Sequence, residues 1–238
     1  MEKEYTPPKK RPMEPKALWA VYYPLGYLIA KYVARYTRLS PNSITFLVLL
    51  FAFVPMVSYA IGSYNGIALA GILIQFIIVG DVVDGRVAEL NNKSTSLGEW
   101  IDGMVALIAD GLVFGGIGYG IYQVTGNVQV WHYIYAIIVF NYLIYLAHKI
   151  YLMIDPGFRK TQGSQIQENI WVSVFIWGRA KVYILTGVIS VITGFTQNII
   201  YIDYFTKILA IMNMLFFILL FAFFSKRLMK IDKTKVIN

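Results

Sequence analysis

In 238 residues the chain combines 58% hydrophobic and 16% aromatic side chains with only 14% charged ones, proportions that exclude an ordinary soluble domain and make the bilayer the solvent of its core. The formal charge of +8 does not signal nucleic acid, because the cations sit between apolar stretches and form no continuous basic face. The lack of cysteine excludes disulfides and thiolate metal sites, so a metal would have to be held by oxygen or by His132 and His148, which do not recur at metal spacing beside another imidazole and read better as interfacial or packing residues.

Residues 1–16 are charged and carry Pro7, Pro8, Pro12 and Pro15 in place of an apolar core, which reads as a flexible cytoplasmic tail and not as a cleaved signal. Residues 17–40 mix Trp19, Tyr22, Tyr23, Leu25, Leu28 and Ile29 with Lys31, Arg35 and Arg38, the pattern of an amphipathic helix lying in the membrane interface. Ser40 and Pro41 then supply a cap and a first-turn proline for the next helix. Residues 41–226 form the membrane domain, with six apolar spans at about 43–61, 66–90, 97–121, 129–153, 180–198 and 203–224. A basic tail at 227–238 follows. The predicted fold is therefore an all-α integral membrane protein of six transmembrane helices behind an interfacial helix.

The loops near 62–66, 122–131 and 198–204 hold no Lys or Arg, whereas the opposite side holds most of the cations. The positive-inside rule places both termini in the cytoplasm, together with the 90–97 junction and the loop from Asp155 to Gly178.

Acidic residues break the apolar pattern at one place. Asp81, Asp84, Glu89, Glu99, Asp102 and Asp110 make up nearly half of the thirteen carboxylates in the chain. An ionised group at membrane depth costs several kcal/mol unless it meets water, a cation or a partner, so such a cluster points to function. Asp81 and Asp84 are three apart and share one face at the end of the second span. Asp102 stands about one turn into the third, which returns across a short polar junction. Three hard oxygen donors at two adjoining helix ends suit Mg²⁺, Mn²⁺ or Ca²⁺, and the first two are the usual companions of phosphate substrates. Gly85, Ala88 and Gly98 beside them provide either close helix packing or a groove in which a nucleotide lies against backbone.

The run Asp81-Val-Val-Asp84-Gly85-Arg-Val-Ala88-Glu89, then eight residues, then Gly98-Glu-Trp-Ile-Asp102-Gly-Met-Val-Ala106, resembles the signature of the CDP-alcohol phosphotransferases, Asp-x2-Asp-Gly-x2-Ala-Arg followed after eight residues by Gly-x3-Asp-x3-Asp. Six of the eight signature positions agree. The stretch Pro41-Asn-Ser-Ile-Thr45 and the six-span layout extend a weaker similarity over most of the chain. The resemblance implies that Asp81, Asp84 and Asp102 hold Mg²⁺ or Mn²⁺ against a CDP diphosphate, and that Gly85, Ala88, Gly98 and Thr95 bind the CDP donor. It implies attack by an acceptor alcohol on the phosphorus next to the transferred alcohol, release of CMP, a role in phospholipid synthesis with membrane lipid as a substrate, and a homodimer.

Two positions depart from the signature. The last aspartate of the family, its proposed proton acceptor, is Ala106, and the arginine is Glu89. Glu99, one turn towards the cytoplasm from Asp102, is a possible substitute base, and Arg86 or Lys93 could return the positive charge lost at 89; their alternative reading is contact with lipid headgroups. Asp110, about 12 Å along the helix from Asp102, lies too deep to share the same ion. Ala106 fits an engineered trap, a weak or inactive homologue, or a member with another base. Arg179 and Lys181 resemble the Gly-Lys-x-Lys stretch that binds a phosphorylated acceptor, with ordinary anchoring at the membrane face as the alternative. They favour a CDP-lipid donor and a polar acceptor. Ser94-Thr-Ser-Leu-Gly-Glu99 instead resembles the branch that joins CDP-choline or CDP-ethanolamine to a diglyceride. A cation transporter is the alternative from another class, and it would place its carboxylates near the midplane.

Overall fold

The structure is a computed structural model that describes residues 18–154 and 179–236. The tail 1–16, the loop with Arg159 and Lys160, and Gly178 lie outside the described residues. Among the described residues every regular element is a helix: a π-helical turn Leu18–Tyr22 leading into α1 (Tyr23–Tyr36), α2 (Pro41–Ala60), α3 (Tyr64–Leu90), α4 (Ser96–Thr125), α5 (Val130–Ile154), α6 (Arg179–Thr196) and α7 (Ile200–Val236).

Local chemistry sets the helix ends. The side chains of Ser40, Ser63 and Thr95, all in extended backbone, accept hydrogen bonds from the amides of Ser43, Gly66 and Gly98 at 3.1, 3.1 and 3.0 Å, so each satisfies an amide that the helix cannot. Gly126 closes α4 in the left-handed conformation, φ 67°, with its amide on the Tyr122 carbonyl.

Five helices, α2, α3, α4, α5 and α7, are long and apolar enough to cross a membrane. The expected span at 180–198 is present as α6, whose described part carries Arg179 and Lys181 and is less apolar than the other five. It nevertheless packs along α3. The last helix runs past the expected span at 203–224, continuing through Lys226, Arg227, Lys230, Lys233 and Lys235 to Val236, so the basic stretch is helical that far. Lys and Arg are good helix formers and no Gly or Pro interrupts them, so the helix outlasts its apolar stretch.

Small residues let the helices approach. A methyl added at Gly71 would stand 2.7 Å from the Gly187 carbonyl, and one added at Gly187 would stand 2.7 Å from the Gly71 carbonyl, so α3 and α6 meet backbone to backbone. Gly116 sits in the same way against the Met56 backbone, bringing α4 onto α2. Ile67, Ile74, Ile77, Val113, Phe114, Ile117, Tyr183 and Leu209 fill the core between them.

The amphipathic helix expected at 17–40 is α1, and one side of it is spoken for by protein. Ala30 packs with Ile44, Val79, Val83 and Val87, and the Tyr22 hydroxyl donates to Gln75 Oε1 at 2.5 Å. Leu28, Tyr32 and Tyr36 are exposed. The helix thus backs the segment of α3 that carries the signature.

Replacing Gly187 with Val is expected to cost about 1–3 kcal/mol through overpacking and to lower the thermal midpoint of the detergent-solubilised protein by several degrees. Gly115→Ala, where the added methyl meets nothing within 4 Å, should leave the midpoint unchanged.

Candidate active site

The signature occupies the last three turns of α3, the junction 91–95 and the first turns of α4. Asn92 takes a left-handed φ of 53° and the Lys93 amide donates to the Ala88 carbonyl at 2.9 Å, so the chain reverses within a few residues and α4 starts beside the end of α3.

Asp84 is buried, and its Oδ2 accepts a hydrogen bond of 2.7 Å from the Thr45 hydroxyl in the first turns of α2. Thr45 was legible only as part of the Pro41–Thr45 similarity; its role in holding Asp84 comes from the structure. The signal for it was a threonine where the polar start Pro41-Asn42-Ser43 gives way to the apolar run, and in the fold it is 5% exposed.

Asp81 Oδ2 accepts from Arg179 Nη1 at 2.6 Å. Arg179 Nε donates to Asp110 Oδ1 at 2.8 Å, and the Tyr183 hydroxyl donates to the same oxygen at 2.7 Å. The guanidinium lies over the Tyr183 ring, 5.1 Å from its centroid. One cation on α6 therefore joins a carboxylate of α3 to one of α4. The distance along α4 that set Asp110 apart from the cluster is real, but Arg179 spans it, and sequence spacing alone carried no sign of that link.

Asp102 is exposed on α4, and its charge is within electrostatic reach of both Asp81 and Asp84. Lys149 on α5 approaches Glu99 at 3.4 Å and also acts on Asp102. Among the described residues no three acidic, His or Cys side chains are gathered as a ready-made ligand set. The donors nevertheless suit a hard divalent cation in charge and type: three carboxylates on two adjoining helix ends, one tethered by Thr45 and one bound by the Arg179 guanidinium.

Gly85 is exposed and an added Cβ there would meet nothing within 4 Å, which leaves open backbone next to Asp84. Ala88 is half-buried. At Gly98 an added Cβ would come 3.2 Å from both Asn42 Oδ1 and Thr95 Oγ1, so the α4 start is closely approached by α2. Thr95 is occupied as the α4 cap.

The two departures from the signature differ in their surroundings. Glu89 pairs with Arg86 at 2.5 Å, and Arg86 stacks over Tyr23 at 5.6 Å, so the acidic side chain is neutralised one turn from where the family carries its arginine. Ala106 is half-buried on α4. Near it, Gly103 leaves room for the Tyr145 hydroxyl, which a side chain at 103 would strike. Of the pair read as acceptor-binding, Arg179 is committed to Asp81 and Asp110, and Lys181 is half-buried two residues further along α6.

A sequence model of the family described as CDP-alcohol phosphatidyltransferase matches residues 38–232. No curated protein sequence matches the chain. Its fold is similar to the crystal structure of Mycobacterium tuberculosis phosphatidylinositol phosphate synthase with CDP-DAG bound, with a TM-score of 0.64 and 15% sequence identity over 83% of this chain and 92% of that one. The family match extends from the end of α1 deep into α7 and encloses the whole carboxylate site, and the chain belongs to the CDP-alcohol phosphatidyltransferase family.

Proposed function

We propose that this membrane protein transfers a substituted phosphate from a CDP-linked lipid to a polar acceptor alcohol, releasing CMP, with the reaction centred on Asp81, Asp84 and Asp102. The observation that carries this reading is the placing of Asp81 and Asp84 beside the open backbone of Gly85 at the α3–α4 turn, within electrostatic reach of Asp102, inside a chain whose family is the CDP-alcohol phosphatidyltransferases. A CDP-linked lipid as donor is supported by the CDP-DAG bound in the M. tuberculosis relative of the fold. Both ends of the signature lie on the side richer in Lys and Arg, which supports a cytoplasmic site in a cytoplasmic-terminus topology. A homodimer is part of the same reading.

A divalent cation, Mg²⁺ or Mn²⁺, would be held by the three aspartates and would neutralise charge building on the departing CMP phosphate. The chain's own groups do the rest. Thr45 orients Asp84, Gly85 and Gly98 let the nucleotide lie close to backbone, and the acceptor's hydroxyl attacks the phosphorus adjacent to the transferred alcohol while its proton leaves.

That proton has no carboxylate at 106 to receive it. Glu99 is the substitute that the sequence offers, but Lys149 already engages it. General-base catalysis is worth about 10²- to 10⁴-fold, so turnover by this chain should be slow by that margin. Restoring the carboxylate with Ala106→Asp is expected to raise CMP release within that range; equally brisk release by both proteins would refute the impairment.

Thr45→Val should lower CMP release about tenfold in the Ala106→Asp background by freeing the Asp84 carboxylate, at little cost to folding. An unchanged rate would remove Thr45 from the site. Donor class is decided by thin-layer analysis of lipid products after supplying each radiolabelled CDP compound. Product from CDP-DAG is the expected result. Product only from CDP-choline or CDP-ethanolamine with diglyceride would favour the second reading, which the Ser94–Glu99 similarity supports.

A further inference from the structure

Asp81 faces two claimants. On the reading above it belongs to a divalent cation, yet in the fold its Oδ2 is bound by Arg179 Nη1 at 2.6 Å. The guanidinium does not depend on that contact for its place. Its Nε is held by Asp110, which is 7% exposed, and Asp110 is itself fixed by the Tyr183 hydroxyl, while the Tyr183 ring lies under the guanidinium plane. The remaining nitrogen, Nη2, is buried without a hydrogen-bond partner among the described residues. Arg179 is thus anchored at one edge and incompletely satisfied at the other.

We propose that Arg179 is a built-in competitor of the divalent cation for Asp81, and that Asp110 and Tyr183 are positioning residues that keep it tethered when the cation displaces it. Two positive charges cannot both sit on one carboxylate oxygen without strong repulsion, so a cation that takes Asp81 Oδ2 drives Nη1 away. Asp110 retains Nε, and the freed edge then offers Nη1 and Nη2 as a two-pronged donor, the geometry that suits a phosphate oxygen pair. Cation loading and readiness of Arg179 for an anionic substrate become one event. The inference rests on the proposed cation chemistry at Asp81.

The test uses the purified full-length protein in detergent and Mn²⁺ as the probe, with binding followed by electron paramagnetic resonance. Arg179→Gln is expected to tighten Mn²⁺ binding about tenfold by removing the competitor, and Asp110→Asn to weaken it several-fold by leaving Arg179 wholly to Asp81. Arg179→Lys, which keeps the charge but not the fork, should fall between wild type and Arg179→Gln. A general change in field would give the first two shifts as well, so the deciding measurement is on the wild-type chain. Site-resolved phenylglyoxal labelling of Arg179 should rise several-fold when Mn²⁺ is added, while labelling of Arg86, paired with Glu89, stays constant. Mn²⁺ bound by the wild type with Arg179 labelling unchanged would overturn the competition and leave the proposed function standing. Failure of wild type and Arg179→Gln alike to bind Mn²⁺ would overturn both.

Discussion

A guanidinium shared between two carboxylates holds the functional end of this bundle together, because it answers the question that the composition poses: how acidic side chains persist in helices otherwise built for lipid. Asp81 on α3 and Asp110 on α4 meet through Arg179 on α6, a residue that is itself too costly to place at that depth without partners. Removing one member of such a set strands the others, a loss of a few kcal/mol that exceeds the value of the contact itself. The arrangement also fixes relative position. Arg179 is planar and directional, so Nε and Nη1 can satisfy both carboxylates only if α3, α4 and α6 keep their registers.

Those registers are set away from the site by features with no chemistry of their own. Gly71 and Gly187 allow α3 and α6 to touch at the backbone, and Gln75, one turn further along α3, spans to the Tyr183 carbonyl at 3.2 Å and to the Tyr22 hydroxyl. The positioning phenol Tyr183 is therefore held at its hydroxyl by Asp110 and at its backbone by Gln75. Tyr22 belongs to the turn that leads into α1, so the interfacial helix is tied to the same α3–α6 seam that presents Arg179. On the opposite face of α3, Val79, Val83 and Val87 pack against Ala30 and Ile44. The signature aspartates alternate with these valines, and packing of the valines is what turns the carboxylates towards α2, α4 and α6.

The helical bundle was legible because apolar length is a direct consequence of the bilayer, and the start of α2 was legible because Ser40 has a local job that its side chain performs within three residues, whereas the same role of Thr95 at α4 came only from the structure. The nearness of Asp102 to Asp81 and Asp84 was legible for a similar reason, since their spacing lies within one helix or across one short junction. What sequence could not show is long-range pairing. Thr45 reaches Asp84 over 39 positions and Arg179 reaches Asp81 over 98, and no periodicity encodes either. The helical continuation of α7 through its basic end was not legible either, because apolar length marks the stretch suited to lipid and not the end of the helix.

The two departures from the family signature bear on different halves of the proposed chemistry. At position 89 the reversed charge is met by Arg86 one turn back, so the local balance near the expected diphosphate is close to neutral and a guanidinium still stands on that face of α3. Binding should survive such a change, because a phosphate responds to the field of several groups and not to one side chain. At position 106 nothing comparable occurs. A proton acceptor must stand within hydrogen-bond reach of one particular hydroxyl, a demand that neighbouring charge cannot meet. Glu99 is drawn towards Lys149, and Asp110 already accepts hydrogen bonds from Arg179 and Tyr183. The two carboxylates on α4 nearest to replacing the missing base, Glu99 and Asp110, each have another partner.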